Sequence, residues 1–387
     1  MPNSPAELSQ QIDDILRSSA RFVPIAFHIH SPESHDWGHR SRADPERNAR
    51  SRFTNANGVK EFLDELARGF RIACITDHMK SSFACNLAKA ALTRDDILVF
   101  PGMEVNCVVP PATERIHLLA IFPPETDCNA IDRIFSSHAG FPTEPNRNGQ
   151  EDFRVSGTLS DWAKEIEAQG GMLVIAHVDD AQRGHRARFR AMRDDSLRMF
   201  STDGAGATIE DQKQVSQEYQ SLLSDSGASA IEIMNPEDRQ HYIALKNRNG
   251  QTVHIPCVIR SDCHCIEDFA EDKKKTFIKV STVSFAAVRD ALRFFETRVK
   301  FKDDLSPAPA PRILGLRLRS PTGAALFKEA VIGFNENLNC IIGPRGCGKS
   351  TIVEALRYAL GCNGALTGTP REDKEAVDYR DLALRIQ

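Results

Sequence analysis

Residues 22–30 read FVPIAFHIH, an apolar stretch that runs into two histidines two positions apart. Six further stretches are similarly short, apolar and rich in β-branched residues: RIACITDH (71–78), ILVFPGMEV (97–105), RIHLLAIF (115–122), MLVIAHV (172–178), AIEIMN (230–235) and HIPCVIRSDCH (254–264). Continuous apolar stretches of this kind are typical of strands buried on both faces, as in parallel sheets covered by helices. Helical or loop sequence follows most of them, so the repeated strand–helix unit predicts an α/β fold, and seven units favour a (β/α) barrel.

Polar residues that can bind metals stand where these stretches end. They are His28, His30, Asp77, His78, Glu104, His177, Asp262 and His264, with His117 inside the fourth stretch. A parallel barrel gathers the carboxyl ends of its strands on one face, where active sites are built. Residues spread over more than half of the chain are therefore expected to meet in one pocket.

A pocket this rich in histidines and carboxylates predicts bound cations. A lone histidine at a strand end is usually a hydrogen-bonded structural residue, but that explanation does not account for the whole set. Burying so many polar groups together is costly unless they coordinate cations. Imidazole and carboxylate groups are suitable ligands for manganese, zinc or iron.

The same residues form an ordered series of short motifs. The series HIH (28–30), TDH (76–78), PGME (101–104), IHLL (116–119), IAH (175–177) and SDCH (261–264) resembles that of the polymerase and histidinol phosphatase (PHP) superfamily. The resemblance covers about residues 20–300. It implies a seven-stranded distorted (β/α) TIM-like barrel that holds two or three divalent metals and cleaves phosphoesters.

The resemblance also implies which residues bind each metal. The first metal is expected on His28, His30, Glu104 and Asp262. The second is expected on Glu104, His117 and His177. The third is expected on His78, His264 and a residue from the loop after His30, where His35 and Asp36 both fit and Asp36 is preferred. If neither binds, the site holds two metals.

The expected chemistry follows from the metals. Two neighbouring cations can clamp a phosphoryl group and activate a water for in-line attack at neutral pH. The expected catalytic residues are Glu104, Asp262 and Arg260. Arg260 is expected either to neutralise phosphate oxygens or to form a structural salt bridge. We expect Asp77 to orient a ligand, and Cys263 and Cys265 to be packing residues.

A second motif lies near the end of the chain. Residues 343–350, GPRGCGKS, match the P-loop pattern G-x-x-x-x-G-K-[ST] in full, between a predicted strand at 338–342 and a predicted helix at 350–360. Such a loop cradles phosphates with its backbone N–H groups. The residues expected to bind ATP and Mg²⁺ are Gly343, Gly346, Gly348, Lys349, Ser350 and Thr351.

The segment around this motif resembles the opening of SMC-like and RecF-like ATPases of the ABC class. That resemblance covers about 75 residues. It implies a second lobe with a Walker B acid and a signature motif, which the sequence does not contain, so a fragment of a longer protein is expected. The predicted organisation is a phosphoesterase barrel (1–302), a proline-rich linker (303–312, DDLSPAPAPR) and the N-terminal part of a P-loop ATPase domain (313–387).

Composition limits the class of protein. The 387 residues carry a net charge of only −4, so no overall basic field indicates nucleic acid. No signal peptide or membrane-length apolar segment is evident, and the ten cysteines are scattered, which favours a cytoplasmic location. Two arginine runs, at 40–52 and 183–198, are interpreted either as solvated faces or as groups that grip phosphates.

Three functions are compatible with these features. The leading prediction is a metal-dependent nuclease acting on DNA and governed by the SMC-like ATPase, in DNA repair or in anti-phage defence. The first alternative is a phosphatase of a small metabolite or nucleotide, and the second is a non-catalytic nucleotide-sensing platform. Because ABC-type ATPases dimerise around ATP, a homo-oligomer is expected.

Overall fold

The computed structural model describes most of the chain in two compact units. The described residues are 5–17, 19–38, 45–108, 116–137, 153–154, 158–178, 221, 223–307, 311–319, 329–336, 338–360 and 383–386. The larger unit comprises Phe22–Leu305, and the smaller unit combines Met1–Arg21 with Ser306–Gln387. The smaller unit thus includes the N-terminal residues, which the sequence-based division places with the barrel.

The larger unit is a mixed α/β structure. Its described helices are α2 (Arg50–Thr54), α3 (Gly58–Gly69), α4 (Ser82–Ala91), α5 (Cys128–Ser136), α6 (Leu159–Ala168), α7 (Phe285–Arg293) and α8 (Phe295–Arg298). Its described strands are β1 (Arg21–Ile29), β2 (Ile72–Ile75), β3 (Leu98–Val108), β4 (Ile116–Ile121), β5 (Phe153–Arg154), β6 (Met172–Ile175), β7 (Ala230–Ile233), β8 (Leu245–Lys246), β9 (Thr252–Val253), β10 (Cys257–Ile259), β11 (Thr276–Val280) and β12 (Val299–Lys300). Each of the seven apolar stretches contains one of these strands.

Ten of the described strands form one sheet in the order β10-β7-β6-β4-β3-β2-β1-β11-β12, with β5 beside β3. Beyond the end of β10, the backbone N–H of His30 donates to Cys263 O at 2.9 Å, and that of Cys263 donates to His28 O at 3.1 Å. These bonds bring the segment after β10 against the end of β1 and nearly close the sheet into a barrel. A closed barrel of seven strands stays a prediction.

One strand runs against the predicted direction. β1, β2 and β3 are parallel, and so are β6, β7 and β10, but β4 is antiparallel to both β3 and β6. The expectation of an all-parallel barrel is therefore wrong at β4. Apolar content does not encode direction, and antiparallel neighbours can be joined without a long crossover. Gly102 permits this pairing, because a Cβ there would lie 2.5 Å from Ala120 O.

Apolar side chains fill both sides of the sheet. One buried cluster combines residues of several strands with α7, including Ile25, Phe27 and Val288. In a second buried cluster, strand residues pack against α3 and α4. In a third, strand residues pack against α5 and α6. Strands buried on both faces explain why the sequence shows continuous apolar stretches rather than alternation.

The smaller unit is a three-stranded antiparallel sheet with helices packed on it. Its described elements are α1 (Pro5–Arg17), β13 (Ile313–Arg319), β14 (Glu329–Gly333), α9 (Lys349–Ala359) and β15 (Ala383–Ile386), and its strand order is β14-β13-β15. Ile12 of α1 is fully buried on this sheet, and a Cβ at Gly315 would lie 2.7 Å from its Cδ1 atom. A separate apolar cluster joins α9 to β13.

The predicted strand at 338–342 is absent from the structure, in which these described residues have no regular secondary structure. Leu338 and Ile342 are 84% and 91% exposed. A strand needs a neighbour for its backbone groups, and the described part of the smaller unit pairs none with this segment. Among the described helices, none has the length and apolar character needed to cross a membrane.

Candidate metal centre

The predicted ligands meet at one end of the barrel-like sheet. His28 lies at the end of β1 and His30 directly follows it, His78 follows β2, Glu104 lies in β3, His177 follows β6, and Asp262 and His264 follow β10. His117 is the second residue of β4. Because β4 is antiparallel, its beginning lies at the carboxyl ends of its neighbours, which is why this histidine joins the others. Apart from the partly exposed His117 and Asp36, these side chains are buried.

A bulge in β1 turns both of its histidines toward the site. Ala26 pairs with Ala73 and Ile29 with Ile75, so β1 has one residue more than β2 between these pairs. Such an extra residue redirects the side chains that follow it. Phe27 packs in the apolar core, while His28 and His30 reach Glu104.

Two candidate ligands have an unusual backbone. The φ angles of His177 and Asp262 are +30° and +39°, and that of Met79, which follows His78, is +54°. Non-glycine residues rarely adopt positive φ, and residues held there cluster at functional sites. Each of the three follows the end of a strand; His177 and Asp262 join the ligand cluster, whereas Met79 packs in the apolar core.

Glu104 lies at the centre of the histidines. Its Oε2 atom is 3.0 Å from His28 Nε2, 3.2 Å from His30 Nε2 and 3.2 Å from His78 Nδ1. Its Oε1 atom contacts His117 Nδ1 and lies 3.6 Å from His177 Nε2. A single carboxylate thus faces five imidazole rings, as a bridging ligand between cations would.

Asp262 forms the second acidic centre. Its Oδ1 atom lies 3.3 Å from His264 Nδ1 and 3.6 Å from His30 Nε2. Its Oδ2 atom accepts from Arg260, at 2.5 Å from Nη2 and 3.1 Å from Nε. Of the two roles considered for Arg260, the structure therefore contains the salt bridge.

The loop after β1 brings Asp36, not His35, into the ligand cluster. Asp36 Oδ2 lies 2.6 Å from His264 Nε2 and 3.3 Å from His78 Nε2. The ring of His35 lies beside that of His78, with 4.8 Å between centroids. Arg50 fixes this loop by donating to the carbonyl oxygens of Ser34 and His35 at 2.6 and 2.9 Å.

Among the described residues, three groups each place one possible ligand atom per residue within 4.8 Å of the others. They are His28, His30 and Asp262; His28, Glu104 and His177; and His30, Asp36, His78 and His264. The groups differ from the predicted ligand sets in three respects. His28 and His30 are each shared by two groups, and His117 approaches Glu104 without belonging to any group. Glu104, predicted to hold two metals, belongs to one group only.

The electrostatics of this cluster require positive charge. Burial alone lowers the pKa of His28 and of His30. Nearby carboxylates outweigh this effect of burial. Glu104 and Glu232 raise the pKa of His28, and Asp262 and Glu104 raise that of His30 to about 9. On carboxyl groups burial has the opposite effect and raises the pKa. The surrounding histidines nevertheless hold the pKa values of Glu104 and Asp262 well below the usual range. The buried carboxylates are ionised, and protons or metal cations must balance them.

Glu232 is a site residue that the sequence analysis missed. It is fully buried in β7, and its Oε2 atom lies 3.1 Å from His28 Nδ1 and accepts from the backbone N–H of His177. Its Oε1 atom accepts from the backbone N–H of Ser261. The available signal was an acid in the middle of an apolar strand, which is costly unless it is bonded.

Several polar atoms of the cluster are close to one another without forming proper hydrogen bonds. Glu104 Oε1 and the Nδ1 atoms of His78, His117 and His177 are buried and have no partner of hydrogen-bond geometry. Buried polar atoms normally have such partners, and an ion is one explanation when they do not. The donor set therefore fits divalent cations of the zinc, manganese or iron type.

The neighbouring residues have mostly structural contacts. Asp77 accepts two 2.6 Å bonds from Ser31, the residue after His30. Arg47 and Arg52 pair with Glu65 at 2.9 and 3.0 Å. Together with Arg50, these account for the described part of the first arginine run, whereas Arg40, Arg42 and the second run lie outside the described residues. Cys263 and Cys265 are buried, as expected of packing residues.

The P-loop residues form a turn that leads into α9. Gly346 and Gly348 have φ angles of +84° and +90°, which favour glycine. Lys349 begins α9, and its Nζ atom donates to the carbonyl oxygens of Gly343 and Pro344 at 2.8 and 2.7 Å. Ser350 and Thr351 follow in the first turn of the helix.

Comparison with known proteins gives a partial match in the smaller unit. Residues 323–381 match the family model described as an AAA domain. A stretch of 55 residues is 44% identical to the chromosome partition protein Smc of Myxococcus xanthus, covering 13% of this chain and 5% of that protein. The chain therefore spans a small part of the curated relative.

Solved structures resemble the chain more widely but weakly. A complex of endonuclease Q with an abasic 27-mer duplex has a TM-score of 0.42 and 14% identity, covering 72% of this chain and 58% of that one. A lesion-specific endonuclease Q from Pyrococcus furiosus gives 0.42 and 15%, covering 76% and 62%. A two-domain protein from Bacteroides vulgatus with a predicted PHP-like phosphoesterase gives 0.34 and 16%, covering 81% and 84%. Residues 323–381 in the smaller unit match an AAA domain, and the motif series of the larger unit resembles that of the PHP superfamily.

Proposed function

We propose that the larger unit is a metal-dependent phosphodiester hydrolase. The observation that carries this proposal is the convergence of nine histidine and carboxylate side chains, counting Asp36, into one cluster around Glu104. Burying ionised carboxylates close together without enough compensating positive charge is costly unless they bind cations. A structural role for each residue alone does not explain three overlapping groups of possible ligands.

In this proposal, each residue has a defined task. Glu104 and Asp262 supply the negative charge that holds the cations, and the histidines complete the ligand sets together with Asp36. When bound, divalent cations supply an activated water and neutralise phosphoryl charge. Glu232 orients His28, and Arg260 holds the carboxylate of Asp262 while presenting its own charge at the edge of the site. Both contacts prearrange the cluster before substrate binds.

We further propose that the substrate is DNA, that the P-loop unit binds ATP and Mg²⁺, and that this unit regulates hydrolysis. The motif GPRGCGKS, its glycine geometry and the match to an AAA domain support nucleotide binding. The similarity to Smc supports an action on DNA. DNA repair or anti-phage defence, in a homo-oligomer in the cytoplasm, is the biological setting we propose.

A phosphatase of a small metabolite or nucleotide is the second candidate. A cavity of about 450 Å³ opens beside Asp262, and small-molecule sites have volumes of this order. This candidate predicts release of phosphate from monophosphates and no salt-sensitive binding of DNA.

The test is hydrolysis by the full chain with Mn²⁺, offered labelled single-stranded DNA, labelled duplex DNA and nucleoside monophosphates separately. We expect cleavage of DNA, whereas release of phosphate from monophosphates without cutting of DNA would contradict the nuclease assignment.

Matched variants test the metal centre in the same assay. His28→Ala combined with Asp262→Ala should abolish hydrolysis, because it removes two of the four residues predicted to hold the first metal. His254→Ala, a change at an exposed histidine outside the cluster, should leave the rate unchanged. Full activity in the double variant would exclude the metal centre as the site of reaction.

A further inference from the structure

A cavity adjoins the candidate metal centre and shares two of its residues. It has a volume of about 450 Å³ and is formed by residues 234–236, 259–262, 272–275 and 301–303. Arg260 and Asp262 belong both to its wall and to the metal centre. A ligand in the cavity would therefore lie directly beside the candidate metal centre.

The charged part of the wall favours an anion. Five lysine and arginine side chains line the cavity against three aspartates, a formal surplus of two positive charges. Lys274 and Lys275 are largely buried and pair with Asp268 and Asp272 at 2.8 and 3.0 Å. These two lysines are held in place by their partners.

Two other lysines are available to a ligand. The side chains of Lys273 and Lys302 are 80% and 53% exposed, and they pair with Glu271 and Asp272 at 3.1 and 2.8 Å. Ion pairs between exposed side chains are weak and screened by solvent. A phosphate could therefore compete for both ammonium groups.

The remaining wall is apolar. Met234 is 43% exposed and lines the cavity together with Pro236 and Ile259. An anion alone would not use this surface. A nucleotide unit has both a phosphate and a flat apolar face, and single-strand sites combine positive charge with a surface on which bases pack.

We propose that this cavity binds the nucleotide next to the scissile phosphate in an unpaired strand. Lys273 and Lys302 contact the flanking phosphate, and Met234 packs against the base. The substrate class is therefore single-stranded or locally unpaired nucleic acid, since a base-paired nucleotide cannot enter a cavity of this size without leaving its stack. The assignment rests on the proposed phosphodiester hydrolase function and names its substrate.

The test measures binding of fluorescein-labelled tetrathymidylate to the full chain by fluorescence anisotropy in EDTA, which prevents metal-dependent cleavage. Lys273→Gln with Lys302→Gln should weaken binding about tenfold. It should also make the slope of log K against log [salt] shallower by about 0.7, the contribution of one phosphate contact in single strands. Competition by thymidine, which has the base but no phosphate, should change less than threefold.

Two controls accompany this variant. Lys60→Gln with Lys89→Gln removes two exposed lysines from helices α3 and α4, away from the cavity, and should not change affinity. Lys273→Arg with Lys302→Arg keeps the charge and should retain binding. Unaltered thermal unfolding of the glutamine variant would show that it folds.

Three results would overturn the assignment: wild-type affinity in the glutamine variant, equal loss in the control pair, or equal loss for thymidine. Failure of the proposed function would look different. A wild-type chain that binds tetrathymidylate through these lysines but never cleaves DNA with Mn²⁺ would retain the subsite and lose the nuclease assignment.

Discussion

At the scale of single residues, the most informative side chain is Glu232, which is not among the predicted ligands. Its two oxygens contact the ring of His28 and the backbone N–H groups of His177 and Ser261. One buried carboxylate thus ties together three strand ends that carry ligands. By accepting from His28 Nδ1, it would leave Nε2 as the atom that faces Glu104 and a cation.

Glu232→Gln is therefore expected to weaken binding of Mn²⁺ by about 10- to 100-fold, the usual effect of losing a partner that orients a ligand. The amide keeps the size of the side chain but loses the charge that holds the His28 ring. Isothermal titration calorimetry of the metal-free protein measures the change. Glu237→Gln, at an exposed acid just beyond β7, is the matched control, and equal affinities of the two variants would contradict the role of Glu232.

Protons and metals are expected to compete for the same histidines. In the metal-free protein the pKa of His30 is raised to about 9, which favours its protonated form at pH 7, and the pKa of His28 is raised as well by Glu104 and Glu232. A ring must lose its proton before it can bind a metal. Binding should therefore release at least one proton at pH 7, and affinity should rise about tenfold per pH unit for each proton released as the pH increases from 6 to 8.

Calorimetry in two buffers with different ionisation enthalpies counts the protons released. The carboxylates add nothing to this count, because the pKa values of Glu104 and Asp262 are held far below this range. Binding that is independent of both pH and buffer would show that the histidines are neutral before the metal arrives.

At the scale of elements, the sequence predicts the positions of strands better than their directions. Each of the seven apolar stretches contains a strand, and the residues at their ends do meet. The direction of β4 depends on how β3 and β4 are connected, which apolar content does not record. The bulge in β1 is equally invisible in FVPIAFHIH, although it determines that His28 and His30 reach Glu104.

Long-range packing limits the prediction in the smaller unit in the same way. The periodicity of α1 indicates a helix but not the sheet on which it packs, and only the small size of Gly315 and Gly333 allows Ile12 and Ile15 to approach β13 and β14. Residues 338–342 have the composition of a strand but lack a partner in the described residues. Local sequence gives propensity, while pairing depends on residues far away in the chain.

At the scale of the whole molecule, two chain connections join the units, one at Arg21–Phe22 and one at Leu305–Ser306. The P-loop lies in the smaller unit and the candidate metal centre in the larger one. Regulation of hydrolysis by ATP therefore requires that binding in one unit changes the populations of states in the other. The proposal separates into nucleotide binding and coupling, which can be tested independently.

Lys349→Ala tests both parts. Losing a charged partner of the phosphates should weaken ATP binding by about 10- to 100-fold, equivalent to about 1.5–3 kcal/mol. Basal hydrolysis by the metal centre should persist, because its ligands all lie in the larger unit, whereas any change of rate caused by ATP should disappear. Binding of a fluorescent ATP analogue and Mn²⁺-dependent cleavage, measured on one preparation, give the two readouts.

Arg357→Ala removes a cation from the same helix α9, outside the P-loop, and should alter neither. If Lys349→Ala abolished basal cleavage while the chain remained folded, hydrolysis would depend obligatorily on the nucleotide site, and the two units would have to be treated as one catalytic system.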